Sequence, residues 1–186
     1  MHPILHKLEG RDRRSIGRSN EVVADVTANP TLFSALFSGL QSDDAVLRAR
    51  AADAVEKITA RRPEYLRRYK AQFIGPLARV NQKEVRWHVA QMLPRVQWND
   101  KERQRVLEIL MDYLNDDSSL VKTFTMQALA DLASEDPEAI PQILPHLQEL
   151  TIVGTPAMRA RGRKLLAALA GPTRHSTGRA KMRRAG

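Results

Sequence analysis

The sequence predicts an all-α chain organised as an array of helix pairs, and three observations carry that expectation. Four segments align without gaps, at Arg48–Ile58, Arg86–Val96, Lys122–Leu132 and Arg159–Leu169, with successive offsets of 38, 36 and 37 residues. Each opens on a base and sets an aliphatic residue seven positions later (Val55, Leu93, Leu129, Leu166) and ten positions later (Ile58, Val96, Leu132, Leu169), which lines one face of a helix. No run alternates with period two, so strands are not expected.

A second amphipathic stretch precedes each segment: Thr31–Gln41, Pro63–Val80, Lys101–Leu114 and Pro137–Leu150. Asn29-Pro30, Asp136-Pro137 and Thr155-Pro156 each put a capping side chain before a proline at the first helical position. Asn99 followed by Glu102 has the spacing of a capping box. Val22–Pro30 echoes Ala54–Ala60 with its following Pro63, and so reads as a leading half-repeat. The expected order is one leading helix and then four pairs, about nine helices. Gly75-Pro76 should break the helix starting at Pro63, and Pro94 should kink the helix carrying Trp87. Residues 1–18 are expected to be a flexible N-terminal segment, 19–170 the array, and 171–186 a basic disordered tail.

A hydrophobic content of 42% over 186 residues allows a core of useful size. Cysteine is absent, which excludes a disulfide framework and thiolate metal sites and fits a reducing compartment. Residues 1–7 lack the apolar run of a secretory signal, and no stretch approaches the ~18 apolar residues of a membrane span. The expectation is a soluble, cytoplasmic protein. The net charge of +9 is unevenly spread: residues 99–155 hold eleven acids against four bases, while residues 156–186 hold nine bases and no acid. The high pI is therefore largely a property of the C-terminal end, which weakens an argument from overall charge to a nucleic-acid-binding fold.

A helix pair of about 37 residues, with a base opening the second helix and small and aliphatic residues after it, resembles a HEAT repeat. Asp43–Arg48 and Lys83–Arg86 are similar to the family's entry into its second helix, and Pro63–Leu66 and Pro137–Ile140 to its next-repeat start. The resemblance covers roughly residues 20–170. It implies a right-handed α-α superhelix of about four HEAT-type pairs plus a leading helix, with partners bound on a concave face lined by the second helices. It also implies that Arg48, Arg86, Lys122 and Arg159 pair with loop acids such as Asp44, Glu84 and Asp117 in an internal ladder. The last pair departs from the pattern: Gly162 and Arg163 stand where the first has Ala51 and Ala52, as a capping repeat with a polar outer face would.

Counting from each opening base, the positions two, five and nine later lie opposite the core. They are Arg50, Asp53 and Lys57; His88, Gln91 and Arg95; Phe124, Gln127 and Asp131; and Arg161 and Lys164, with Ala168. This stripe, with Trp87 at its shoulder, is the candidate partner-binding surface. An aromatic such as Phe124 there favours an interface over a merely solvated face. Trp87 itself reads either as an interface anchor or as packing between second helices, and Trp98 as the plug of an inter-repeat gap.

Signs of chemistry are few. There is no glycine-rich dinucleotide loop, no Walker loop and no His-Glu-x-x-His. The resemblance brings in HEAT-like enzymes, but the chain has no His-Glu dipeptide of the deoxyhypusine-hydroxylase type and no paired tryptophans of the alkylpurine-glycosylase type. No catalytic residue, metal site or cofactor is expected. Two readings stand from the sequence: a scaffold for a protein or peptide partner, or a nucleic-acid binder acting through the basic N-terminal repeats and tail by phosphate contacts.

Overall fold

The computed structural model describes residues 1–12 and 14–171. The basic tail expected over 171–186 thus lies, beyond Gly171, outside the described residues. Among the described residues the chain is all-helical, with ten α-helices and no strand: α1 (Pro3–His6), α2 (Ser19–Ala28), α3 (Phe33–Ser38), α4 (Ala45–Thr59), α5 (Lys70–Ile74), α6 (Lys83–Met92), α7 (Asp100–Tyr113), α8 (Ser119–Glu135), α9 (Ile140–Val153) and α10 (Pro156–Leu169). None of them is long and apolar enough to cross a membrane.

The capping chemistry forms as expected. Asn29 accepts from the Thr31 amide, Asp136 from that of Glu138, and Thr155 from that of Met158. Asn99 and Glu102 form a reciprocal capping box at the start of α7. Each cap satisfies helix-terminal amides that would otherwise lack partners.

The four aligned segments fall in α4, α6 with its following turn, α8 and α10. These helices and α2 are neighbours in chain order: α2 packs on α4, α4 on α6, α6 on α8, and α8 on α10. α3 packs against α4, α7 against α8, and α9 against both α8 and α10. The positions seven and ten after each base enter the shared core: Val55, Leu93 and Leu129 are fully buried, and Ile58, Val96 and Leu132 nearly so. In the last pair Leu166 and Leu169 are only half-buried among the described residues.

Three expectations are corrected. The stretch from Pro63 breaks at Gly75-Pro76, but before the break it is not one α-helix: Pro63–Tyr69 is a 3₁₀ segment and α5 has only five residues. Tyr69 stacks on Phe37 of α3 with centroids 3.7 Å apart, and Phe73 meets Phe37 edge-on at 5.8 Å. Aromatic packing, rather than helix propensity, sets this segment's path. Likewise Pro94 ends α6 instead of kinking it, since the residues after Met92 turn as a 3₁₀ helix, Leu93–Arg95.

The third concerns residues 1–18, expected as a flexible leader, part of which packs into the core as far as they are described. Ile4 and Leu5 of α1 and Leu8 after it are buried in the common core, and α1 packs against α3. Lys7 bonds Asp25 of α2, Nζ–Oδ2 2.5 Å.

Candidate functional site

The second-helix stripe is built from α4, α6, α8 and α10. Two grooves run along it. The first, about 710 Å³, is lined by Arg14, Ser15 and Ile16 of the N-terminal loop, Ala49, Arg50 and Asp53 of α4, Lys83, Glu84, Trp87 and His88 of α6, and Ser118, Ser119, Leu120 and Phe124 at the start of α8. The second, about 610 Å³, is lined by Gln91, Pro94 and Arg95, then Phe124, Gln127, Ala128, Asp131, Ser134 and Glu135, then Arg161 of α10. Phe124 lines both, so it joins them. A loop residue and a helix residue, Ile16 at 44% exposure and Leu120 at 42%, leave apolar surface open in the first groove beside half-buried Trp87 and Phe124. Exposed aliphatic side chains converging with aromatics in a concavity are the usual composition of an interface centre.

The stripe residues differ in their surroundings. Trp87, His88, Gln91, Phe124, Gln127, Asp131 and Arg161 line the grooves. Gln127 Nε2 donates to Asp131 Oδ1 at 2.8 Å, and Arg161 Nη1 donates to Gln127 Oε1 at 2.9 Å, tying α8 to α10 across the second groove. Lys164 is exposed and lines neither groove.

Asp53, Lys57 and Arg95 are occupied by contacts within the chain. Asp53 Oδ2 accepts from Ser19 Oγ at 2.5 Å and from Lys57 Nζ at 2.7 Å, and Lys57 also reaches Asn20, so this pair fixes α2 on α4. Arg95 donates to the Glu56 carbonyl at 2.8 Å and pairs with the Glu56 carboxylate, closing α6 on the end of α4. Its replacement would test the fold as well as the face.

Arg50 is the correction. It was expected on the open stripe but is only 6% exposed. Its guanidinium donates to the main-chain carbonyls of Leu8, Glu9, Asp12 and Ser15, and the N-terminal loop therefore covers it. No property of the second helix signals this. The loop is fitted closely to it, because a side chain at Gly10 or Gly17 would collide with the guanidinium.

The expected ladder is also partly rewritten. Arg48 donates to Gln82 Oε1 at 2.9 Å and to the Ser42 carbonyl, while Asp44 caps α4. Arg86 pairs with Asp116, not with Glu84 or Asp117, at 2.7 Å. Trp98 is buried, its Nε1 donating to the Leu93 carbonyl at 2.9 Å and its ring under Lys70.

Burial in the groove wall pushes the His88 imidazole down to about 4, with Asp53 and Glu56 opposing and Lys57 and Arg95 reinforcing the shift. His88 is thus neutral at physiological pH and offers one donor and one acceptor. Desolvation by the second groove raises the Asp131 carboxyl above its ordinary range, against the Gln127 hydrogen bond and the Arg161 and Arg95 charges. Among the described residues no group of three or more His, Cys, Asp or Glu side chains is placed to hold a metal ion. A smaller cavity of about 250 Å³ between α7 and the residues after Asp136 lies away from the stripe. An Arg103–Asp136 pair at 3.0 Å bridges it.

Compared with family models, with curated proteins and with solved structures, the chain has no match in any of the three.

Proposed function

We propose that the chain is a non-enzymatic, HEAT-like α-solenoid scaffold that binds a protein or peptide partner along its second helices. The reading rests chiefly on one observation: Ile16, Trp87, Leu120 and Phe124, drawn from three separate elements, present apolar surface in a single open groove. Chain-order packing of α2, α4, α6, α8 and α10 supports the superhelical part of the reading, since each repeat then covers only its neighbours. The polar groups beside the apolar centre (neutral His88, Gln91, Gln127 and the Asp131–Arg161 end) suit main-chain and side-chain hydrogen bonding to a peptide.

Interleaved charge argues against phosphate tracking as the main mode. Arg11, Arg14 and Lys83 share a polar cleft with Asp12, Glu84, Asp116 and Asp117, which would repel a polyanion. The experiment is affinity capture from cell extract by the wild-type chain and by Phe124→Ala, with fluorescent duplex DNA and RNA titrated across a salt series in parallel. A protein captured by the wild type and lost by at least tenfold with Phe124→Ala, at unchanged helicity, supports the scaffold. Tight, salt-steep nucleic-acid binding that Phe124→Ala leaves intact overturns it.

A further inference from the structure

We infer that residues 8–12 and 14–18 form a latched strap: a segment held on α4 by the Arg50 guanidinium, separable from the helical body, whose seating shapes the first groove. The latch is a single buried cation whose donors converge on four carbonyl groups spread over eight residues, at 2.5–3.2 Å. Such convergence holds irregular backbone that has no helix or sheet ladder of its own. Gly10 and Gly17 are shaped to it. A Cβ at Gly17 would lie 2.6 Å from the guanidinium carbon, and its φ of +54° is a backbone state that other residues resist.

The rest of the strap adds little hold. Between buried Leu8 and buried Ser19 the described side chains are exposed. The other contacts recorded there are short-range: Arg14 N to Asp12 Oδ1, Gly17 N to Ser15 Oγ, Ser19 N to the Ile16 carbonyl, and the exposed Arg18–Glu21 and His6–Glu9 pairs at its two ends. Opening the strap beyond Leu8, which stays in the core, breaks the Arg50 bonds to Glu9, Asp12 and Ser15 without unseating a buried side chain, the pattern of a local rather than global unfolding event. The consequence falls on the groove, because Arg14, Ser15 and Ile16 are part of its lining. With the strap released, Arg50 is bared on α4, and the free guanidinium becomes a receptor for a carboxylate.

The test needs no partner, so its outcome is independent of whether the second-helix face captures one. Trypsin cleavage after Arg14 and Arg18 is followed in the full-length wild type, Arg50→Gln and Gly17→Val across a urea series, beside circular dichroism of the helical body. The inference expects strap cleavage in the wild type to depend weakly on urea. It expects each variant to cleave at least tenfold faster while the urea midpoint of the helices holds. Wild-type cleavage that follows the urea dependence of global unfolding overturns it, as does unchanged strap cleavage in Gly17→Val. If Arg50→Gln does not fold, Gly17→Val decides, since it removes no side chain from α4.

Discussion

Arg86, at the start of α6, reaches forward to Asp116 in the loop before α8, with Nη1 and Oδ2 2.7 Å apart and both side chains largely buried. The same guanidinium donates to the Val80 carbonyl and lies 5.2 Å from the Tyr113 ring centre, while Asp116 also accepts from the Ser118 amide. One pair thus joins the turn before α6, the end of α7 and the entry to α8. Asp116→Ala leaves a mostly buried cation unpaired and should lower unfolding free energy by about 2–3 kcal/mol. The urea midpoint measures it, and a loss under about 0.5 kcal/mol would place the pair with ordinary surface ion pairs.

His88 makes stability depend on pH in a stated direction. Its folded pKa of about 4 lies below the ordinary value of 6.5, so on acidification the unfolded chain takes the proton first. The stability gained by keeping His88 neutral is whole above about pH 6.5 and is lost as pH falls toward 4. A fall on the order of 2 kcal/mol is expected over that window, and His88→Gln should flatten it. The difference between the two proteins' midpoint-versus-pH curves isolates this imidazole from the carboxylates.

Asp131 behaves oppositely. A carboxyl raised above its ordinary range stabilises the fold only while protonated, and that contribution is lost as pH rises through its folded pKa. At pH 7, Asp131→Asn should therefore leave the urea midpoint unchanged or raise it, since the amide oxygen still accepts from Gln127. A lowered midpoint would show that the charge itself holds α8 to Arg161.

Gly162 is the close-contact point of the last pair. A Cβ there would overlap the Thr151 hydroxyl of α9 and come within 3.0 Å of Met126 Cε. Gly162→Ala should cost about 1–3 kcal/mol despite the better helix propensity of alanine. In a Thr151→Ala background the same change should become neutral or slightly stabilising, and a double-mutant cycle by urea unfolding reads the coupling.

What was legible in the sequence follows from what is periodic. Aliphatic residues at fixed distances from Arg48, Arg86 and Lys122 mark the core face, and the same wheel places His88, Phe124 and Gln127 on the groove side. Local cap chemistry at Asn29, Asn99, Asp136 and Thr155 could be read because donor and acceptor lie within three residues. The Arg50 latch could not, since its acceptors are carbonyls 35 to 42 positions earlier, which any residue supplies. Arg95 and Glu56, 39 positions apart, are hidden for the same reason. The path of residues 63–74 was not legible because Tyr65, Tyr69 and Phe73 pack on Phe33 and Phe37, about 30 positions earlier, contacts that no local spacing encodes.

Site-specific photo-crosslinking tests the central claim, that the second-helix groove takes a partner, most directly. A benzophenone side chain is placed at Phe124, where the two grooves meet, and in a second protein at Gln104, which lines the cavity beside α7. A discrete crosslinked protein or peptide is expected from position 124 and none from position 104. Crosslinks from 104 alone, or none from 124 in an extract from which the unmodified chain captures a partner, would contradict it.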